Sequence, residues 1–149
     1  MDKRIEEYWV EKYPKLFAGY HLGIYKSPMA WGFTCGEGWF NILDQLWKDL
    51  DQIGEVVLAQ VKEKFGGLRV YTASVGFLSP DEHTRVRALI AEATSKSFKT
   101  CEVCGKPGEL RSGGWLFTHC DDCKGLDRDA RWAVNEQVAN KIITELGIK

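Results

Sequence analysis

Four of the five cysteines form two pairs, and this arrangement constrains the fold more than any other feature of the chain. In CEVCGKPGELRSGGWLFTHCDDC, two residues separate Cys101 from Cys104 and Cys120 from Cys123, and fifteen residues lie between the pairs. A two-residue spacing lets both thiolates of one tight turn reach the same tetrahedral ion, so two such turns complete a four-thiolate shell. The spacing predicts a zinc ribbon over residues 99–125.

The ribbon pattern leaves the identity of the metal and of one ligand open. Structural zinc is the prediction, with an iron site or a redox dithiol as the alternatives. His119 precedes Cys120 and is an alternative ligand in its place. Four thiolates leave no open position for water, so we expect the zinc to stabilise the fold and not to catalyse a reaction.

The composition places the chain among folded globular proteins. Of the 149 residues, 44% are hydrophobic and 12% are aromatic, which excludes general disorder. No apolar run reaches the roughly 18 to 20 residues that a bilayer span needs, and the N-terminus MDKRIEEYWV has no apolar signal-peptide core. We therefore expect a cytoplasmic protein with no membrane partner.

Charge is distributed unevenly along the chain. The net charge of −1 disfavours a protein that coats nucleic acid by bulk electrostatics. Residues 56–111 nevertheless hold nine Lys or Arg against six Asp or Glu, whereas residues 1–55 and 112–149 each carry an acidic excess. A binding site for an anion is therefore expected in the middle third of the chain.

Hydrophobic periodicity and capping signals predict four helices, at about 2–13, 39–53, 79–96 and 127–146. The last is expected to place Trp132 inward with Val138, Ile142 and Leu146. The segment 14–38 is interpreted as irregular but packed, because it is rich in glycine and aromatic residues.

Residues 55–65 fit either a helix or a strand, and their β-branched residues followed by a Gly pair favour a strand. A turn at Gly66-Gly67 would pair Phe65 with Leu68 on an apolar face. It would also pair Lys62 with Tyr71 on the opposite face.

The basic hairpin face, defined here as Lys62, Lys64, Arg69 and Tyr71, is the first candidate ligand site. Two ammonium groups, one guanidinium and one ring suit a phosphate beside a base or a sugar. An ordinary solvated sheet face explains the same pattern.

The segment WGFTCGEGWF, residues 31–40, is the second candidate. Glu37 and Trp39 lie just before a helix, where the backbone N–H groups of Gly36 and Gly38 are available to an anion. The alternative is a glycine-rich helix entry with its tryptophans in the core. Cys35 is interpreted as a buried thiol, because no base can be paired with it in the sequence.

The third candidate surface carries His83 and Arg87 on one face of the third helix, which a solvated polar face also explains. No Walker loop and no HExxH, GxSxG or deaminase pattern occurs in the sequence. The sequence therefore predicts no catalytic residue and favours a protein that is not an enzyme.

Taken together, WGFTCGEGWF, VKEKFGGLRVY, SFKTCEVCGKPGELR and the second cysteine pair resemble an uncharacterised family of small proteins encoded by tailed phages and prophages. The resemblance spans about residues 13–125. It implies a phage setting, a zinc ribbon and a role directed at host machinery or host defence, and it implies no activity.

These observations predict an α+β fold in one domain, 1–149: a small antiparallel sheet packed with three to four helices, plus the inserted zinc-ribbon hairpin. The functional hypothesis is a zinc-stabilised, non-enzymatic protein that holds a nucleotide-like or phosphate-bearing ligand and sequesters a host defence signal. The alternatives are an interaction protein that inhibits a host protein and, less favoured by charge, a nucleic-acid-binding zinc ribbon. The oligomeric state stays open.

Overall fold

The computed structural model describes residues 1–73 and 77–149. Within these residues the fold is α+β, as predicted, with four α-helices, a three-stranded mixed sheet and a two-stranded hairpin. The α-helices are α1 (Lys3–Lys12), α2 (Phe40–Asp51), α3 (Pro80–Ser97) and α4 (Arg128–Leu146). No helix in the described part of the chain combines the length and apolar character that a bilayer crossing requires.

The helix boundaries follow from the capping residues. Ser79 accepts a hydrogen bond from the backbone N–H of Glu82, and the Glu82 carboxylate accepts one from Ser79 N–H, which completes the predicted capping box of α3. Asp127 caps α4, and Gly147 ends it in the left-handed conformation at φ 66°. Short 3₁₀ turns at Pro28–Trp31 and Glu37–Trp39 occupy the segment before α2.

The main sheet has the order β1-β2-β3, with β1 at Phe33–Thr34, β2 at Leu58–Lys64 and β3 at Gly67–Thr72. β1 pairs with β2 in parallel, and β2 pairs with β3 antiparallel. The strand interpretation of residues 55–65 is therefore confirmed, whereas β1 falls in the segment expected to be irregular. The ribbon hairpin is formed by β4 (Glu109–Arg111) and β5 (Phe117–His119).

The predicted hairpin register is wrong, because the turn consists of Phe65 and Gly66 rather than of the two glycines. Lys64 pairs with Gly67, Lys62 with Arg69 and Val61 with Val70. Gly67 cannot be a turn residue here because it serves packing: a Cβ on it would lie 2.3 Å from the Phe98 ring. The basic residues still share one face of the hairpin, and Val61 and Val70 share the other. Lys62, however, lies opposite Arg69 instead of Tyr71.

Two aromatic residues predicted to be apolar core residues are exposed. Phe65 moves from the apolar face into the turn, where 63% of its surface is accessible. Trp132 is 74% accessible, while Ile142 is buried and Val138 and Leu146 pack against the core. The core instead centres on three fully buried indoles contributed by α1, by α2 and by the turn before α2: Trp9, Trp39 and Trp47.

The ribbon is hydrogen-bonded to the hairpin turn and to the entry of α2, and it also packs against α4. The Thr118 hydroxyl of β5 donates to the carbonyl of Gly66 at 2.6 Å, so the ribbon contacts the hairpin turn. The Trp39 indole N–H donates to the carbonyl of Thr100 at 2.9 Å, and Gly38 N–H donates to the carbonyl of Glu102 at 2.8 Å. These bonds join the metal-binding segment to both the sheet and the entry of α2.

Candidate functional site

The four paired cysteines converge on one point. The four Sγ atoms lie within 4.8 Å of one another, and none of them forms a disulfide. They belong to Cys101, Cys104, Cys120 and Cys123. The Sγ atoms of Cys104 and Cys120 are 3.6 Å apart. A tetrahedral ion with metal–sulfur bonds of about 2.3 Å requires about 3.8 Å between sulfurs, so the thiols are arranged to hold a metal ion.

Two tight turns bring the sulfurs together. In the first, Gly105 N–H donates to the carbonyl of Cys101 at 2.9 Å, and Gly105 takes φ 80°, a conformation that favours glycine. In the second, the N–H groups of Cys123 and Lys124 both donate to the carbonyl of Cys120. These turns explain why a spacing of two residues is enough to bring both sulfurs of a pair to the same metal position.

His119 does not belong to the thiol cluster. Among the described residues, the cysteines alone form a group of metal-binding side chains that is close enough to hold an ion. The His119 ring stacks on Phe117 with 4.9 Å between ring centres. Burial lowers the pKa of His119, and the nearby charges of Arg131 and Arg111 lower it further.

The glycine-rich segment before α2 binds an anion from within the chain. Gly36 N–H donates to the carboxylate of Glu102 at 3.0 Å, and Gly38 N–H donates to the Glu102 carbonyl. Glu37 N–H donates to the side-chain oxygen of Asn135 at 3.1 Å. The predicted anion-binding amides are therefore already engaged, and they position the metal-binding turn.

The Glu102 carboxylate has an unusual environment. Burial raises its pKa to about 7, although the hydrogen bond from Gly36 opposes this shift. Burial also raises the pKa of Glu37, whose carboxylate accepts the backbone N–H of Asp2 at 2.7 Å. Both carboxylates line the same cleft, described below.

Trp39 and Cys35 occupy the core. The Trp39 ring is fully buried, so it cannot stack on a ligand in this conformation. Cys35 is also buried; burial raises the pKa of its thiol, and the carboxylates of Glu102 and Glu37 raise it further. A protonated, buried thiol is a poor nucleophile, which agrees with the interpretation of Cys35 as a core residue.

The basic hairpin face lies on β2 and β3, where Lys64 and Tyr71 are exposed and Lys62 and Arg69 are half-buried. Lys62 lies opposite Arg69, and Gln60 lies opposite Tyr71. The Arg69 guanidinium donates to the carbonyl of Leu68 at 3.1 Å and lies 5.9 Å from the Phe98 ring centre. Directly opposed cations destabilise a strand pair, so an anion on this face would relieve their repulsion.

Tyr71 connects the basic hairpin face to a cleft of about 930 Å³ between the end of β3 and the first half of α3. We call it the Tyr71 cleft. Its polar side chains are those of Tyr71, Thr72, His83 and Arg87, and no lining residue among those described carries a carboxylate. Its floor is apolar and includes Val56, Val70, Leu78, Val86 and Ile90. The first and third candidate surfaces thus meet at one concavity.

A second cleft, of about 540 Å³, lies between β1, the ribbon and α4, and we call it the Trp132 cleft. Glu37 and Glu102 line it together with His119, Arg131, Trp132 and Asn135. Glu102, Arg131 and Asn135 were not predicted from the sequence as site residues. One signal was present: Trp132 is followed at the next turn of α4 by Asn135 and Glu136, so the apolar stripe is interrupted there.

The predicted ligand residues are therefore divided among four environments. Tyr71 lines the Tyr71 cleft, Glu37 lines the Trp132 cleft, and Trp39 lies in the core. Lys62, Lys64 and Arg69 lie on the sheet face and line neither cleft. Comparison with protein-family models, curated proteins and solved structures finds no match to this chain.

Proposed function

We propose that this protein is a zinc-stabilised, non-enzymatic binding protein that holds a nucleotide-like, phosphate-bearing ligand in the Tyr71 cleft, beside the basic hairpin face. The observation that carries the proposal is the convergence of Tyr71, His83 and Arg87 on one cleft without a carboxylate. A volume of about 930 Å³ is within the range of small-molecule sites, which is roughly 300 to 1,000 Å³.

Each lining group has a role in this proposal. Arg87 makes no ion pair or hydrogen bond with any described residue, so its guanidinium is available for a two-pronged contact with phosphate. His83 is one turn away on the same helix face and supplies a second donor. The Tyr71 ring supplies a stacking surface for a base, and the apolar floor receives the remainder of the planar group.

Zinc is the metal that we propose for the thiol cluster. Four thiolates in a tetrahedral arrangement are typical of structural zinc, and the close approach of the four sulfurs supports this choice. A shell filled by protein ligands holds no water to activate, and Cys35 is buried and protonated. These features support a role in binding rather than in catalysis.

Isothermal titration of the zinc-loaded protein with mononucleotides and cyclic oligonucleotides tests the proposal. Binding of at least one phosphate-bearing compound is expected, and Arg87→Gln should weaken it by about tenfold or more, because a charged hydrogen bond is worth about 1.5 to 3 kcal/mol. Arg85→Gln is the matched control, since Arg85 is on the same helix but does not line the cleft. Heat from no compound, or equal losses for the two variants, would refute the proposal.

We also propose, from the family resemblance alone, that the protein is encoded by a phage and that the ligand is a host defence signal. Sequestration of such a signal requires only tight binding, which a protein without catalytic groups can supply. Restoration of phage growth on a defended host by the wild type, but not by Arg87→Gln, is the expected result. Equal protection by both proteins would contradict it.

Inhibition of a host protein is the second candidate function, and exposed aromatic rings favour it. Tyr25 and Phe77 are 98% and 83% accessible, and such side chains are enriched in protein interfaces. Affinity purification from host lysate separates the two functions. A stoichiometric protein with no bound nucleotide would support this candidate, whereas small-molecule cargo would support the binding function.

A further inference from the structure

The Trp132 cleft contains polar groups that have no partner among the described residues. The His119 ring is 3% accessible, lines the cleft and makes no hydrogen bond with a described residue. A polar side chain in a cleft wall that has no partner among the described residues is available to a ligand.

The surrounding groups show what kind of ligand fits. Arg131 makes no ion pair or hydrogen bond with a described residue, and its guanidinium is held 4.7 Å from the centre of the Phe117 ring. Asn135 uses its side-chain oxygen to accept Glu37 N–H, which leaves its amide NH₂ group free. Glu102 uses one carboxylate oxygen for Gly36 N–H, and its other oxygen has no partner among the described residues.

These polar groups of the Trp132 cleft do not suit a metal ion, a simple anion or a simple cation. A metal ion is disfavoured because the cleft residues described form no cluster of metal-binding side chains. A simple cation would face Arg131, and a simple anion would face the four carboxylates that line the cleft, those of Asp2, Glu37, Glu102 and Glu136. The groups suit a neutral molecule that presents donors on one edge and acceptors on another.

We propose that the Trp132 cleft binds a planar heterocycle of the guanine type. The free carboxylate oxygen of Glu102 would accept from the adjacent ring N–H and amino group of the base. The Arg131 guanidinium and the Asn135 amide would donate to its carbonyl and ring nitrogen. Trp132, exposed at the rim, would stack on the ring face.

This site is independent of the Tyr71 cleft, and a nucleoside without phosphate separates the two. Guanosine is titrated into the zinc-loaded protein, with adenosine as the comparison, because adenosine presents a ring acceptor where guanosine presents a donor. Guanosine is expected to bind at least about fivefold more tightly, because a mispaired edge costs about 1 to 3 kcal/mol. Arg85→Gln, at a position that lines neither cleft, should leave guanosine binding unchanged.

Two exposed tryptophans provide a matched pair of variants. Trp132→Ala should weaken guanosine binding at least about fivefold, because stacking on one base is worth about 1 to 3 kcal/mol. Trp115→Ala is the control, since Trp115 is 73% accessible but does not line the cleft. No guanosine binding, equal binding of adenosine, or equal effects of the two variants would each overturn the proposal.

Discussion

Two buried indoles differ in one hydrogen bond, and this difference predicts unequal effects of the same substitution. The Trp9 indole N–H donates to the carboxylate of Asp44 at 2.8 Å, whereas the Trp47 indole N–H has no partner among the residues that the structure describes. Trp47 contacts Phe17 edge-on, with 5.3 Å between ring centres. The Trp47 side chain therefore stabilises the core through its apolar area despite an unpaired donor.

Trp9→Phe should lower the free energy of unfolding by about 1 to 2 kcal/mol more than Trp47→Phe does. Both substitutions remove similar volume, but the first also leaves the Asp44 carboxylate without its donor, while the second removes an unpaired N–H. Urea denaturation of the two variants measures the difference. Equal losses, or a larger loss for Trp47→Phe, would contradict the assignment.

Tyr20 gives the fold a specific alkaline sensitivity. Burial raises the pKa of Tyr20 from 10.0 to about 12, and its hydrogen bond to the Glu6 carboxylate, at 2.6 Å, contributes. Between these pH values the unfolded chain loses the phenolic proton and the folded chain keeps it. Stability is therefore present below pH 10 and declines as the pH rises towards 12.

Thermal unfolding of the wild type and of Tyr20→Phe across this alkaline range checks the assignment. The variant should be less stable near neutral pH, because the Glu6 carboxylate loses a donor. It should also lose less stability as the pH rises, because it lacks the shifted phenol. Parallel pH profiles for the two proteins would show that Tyr20 is not responsible.

At the residue scale, prediction succeeded where a short sequence spacing determines the geometry. The two pairs Cys101/Cys104 and Cys120/Cys123 illustrate this, because each pair is one tight turn. The position of Glu102 could not be predicted in this way, because its hydrogen-bond partner Gly36 is 66 residues away in the sequence. No local pattern indicates that the anion for the glycine-rich segment comes from the chain itself.

At the scale of elements, the hairpin turn shows how a local signal can be misread. A Gly-Gly pair is a strong turn signal. Here the turn uses Phe65 and Gly66, at φ 54° and 81°, while Gly67 is required by its contact with Phe98. The competing cause is tertiary: the α3 end packs on β3, which the hairpin sequence does not reveal.

Phe65→Asn should raise the free energy of unfolding by about 0.5 to 1 kcal/mol, because asparagine tolerates a positive φ in this turn type and phenylalanine does not. Removal of the Phe65 ring costs little free energy of unfolding, since most of this side chain is exposed. Phe65→Ala is the control, because it removes the ring without relieving the backbone. Urea denaturation measures the free energy of unfolding of both variants. A loss of stability in the asparagine variant would argue against strain at this turn.

At the scale of the molecule, the metal-binding segment is coupled to distant elements. Gly36 and Gly38 donate to Glu102, and Gly66 accepts from Thr118. The ribbon therefore holds both the entry of α2 and the hairpin turn. Removal of the metal should consequently loosen more than the ribbon itself.

Chelation of the metal should increase hydrogen exchange at the amides of Gly36 and Gly38, as well as within residues 99–125. Amides in the middle of α1, such as that of Trp9, serve as the control, because they lie outside the ribbon contacts. The double variant Cys101→Ser, Cys104→Ser should reproduce the effect. Exchange confined to the ribbon, or a folded double variant that retains its metal, would refute this coupling.

The whole-molecule arrangement was the least predictable part. Sequence patterns predicted the α+β class, the four helices and the hairpin of β2 and β3, because each of these elements carries its own signal. The two-residue strand β1 was missed, since it falls in the segment expected to be irregular. The clefts were not predictable, because each is lined by segments that are distant in sequence. Tyr71 and Arg87 line one cleft only when α3 packs on β3, and Trp132 lines a cleft that β1 and the ribbon complete.

The most direct test of the central claim is an amide chemical-shift map of the zinc-loaded protein during titration with ADP, which combines a planar base with phosphates. The proposed function predicts that the largest shifts fall on Tyr71, Thr72 and Ala73 and on residues 83–91 of α3, which line or border the Tyr71 cleft. Arg87→Gln should abolish these shifts at the same ADP concentration. The absence of shifts, or shifts confined to Lys62 and Lys64 or to the Trp132 cleft, would contradict the claim.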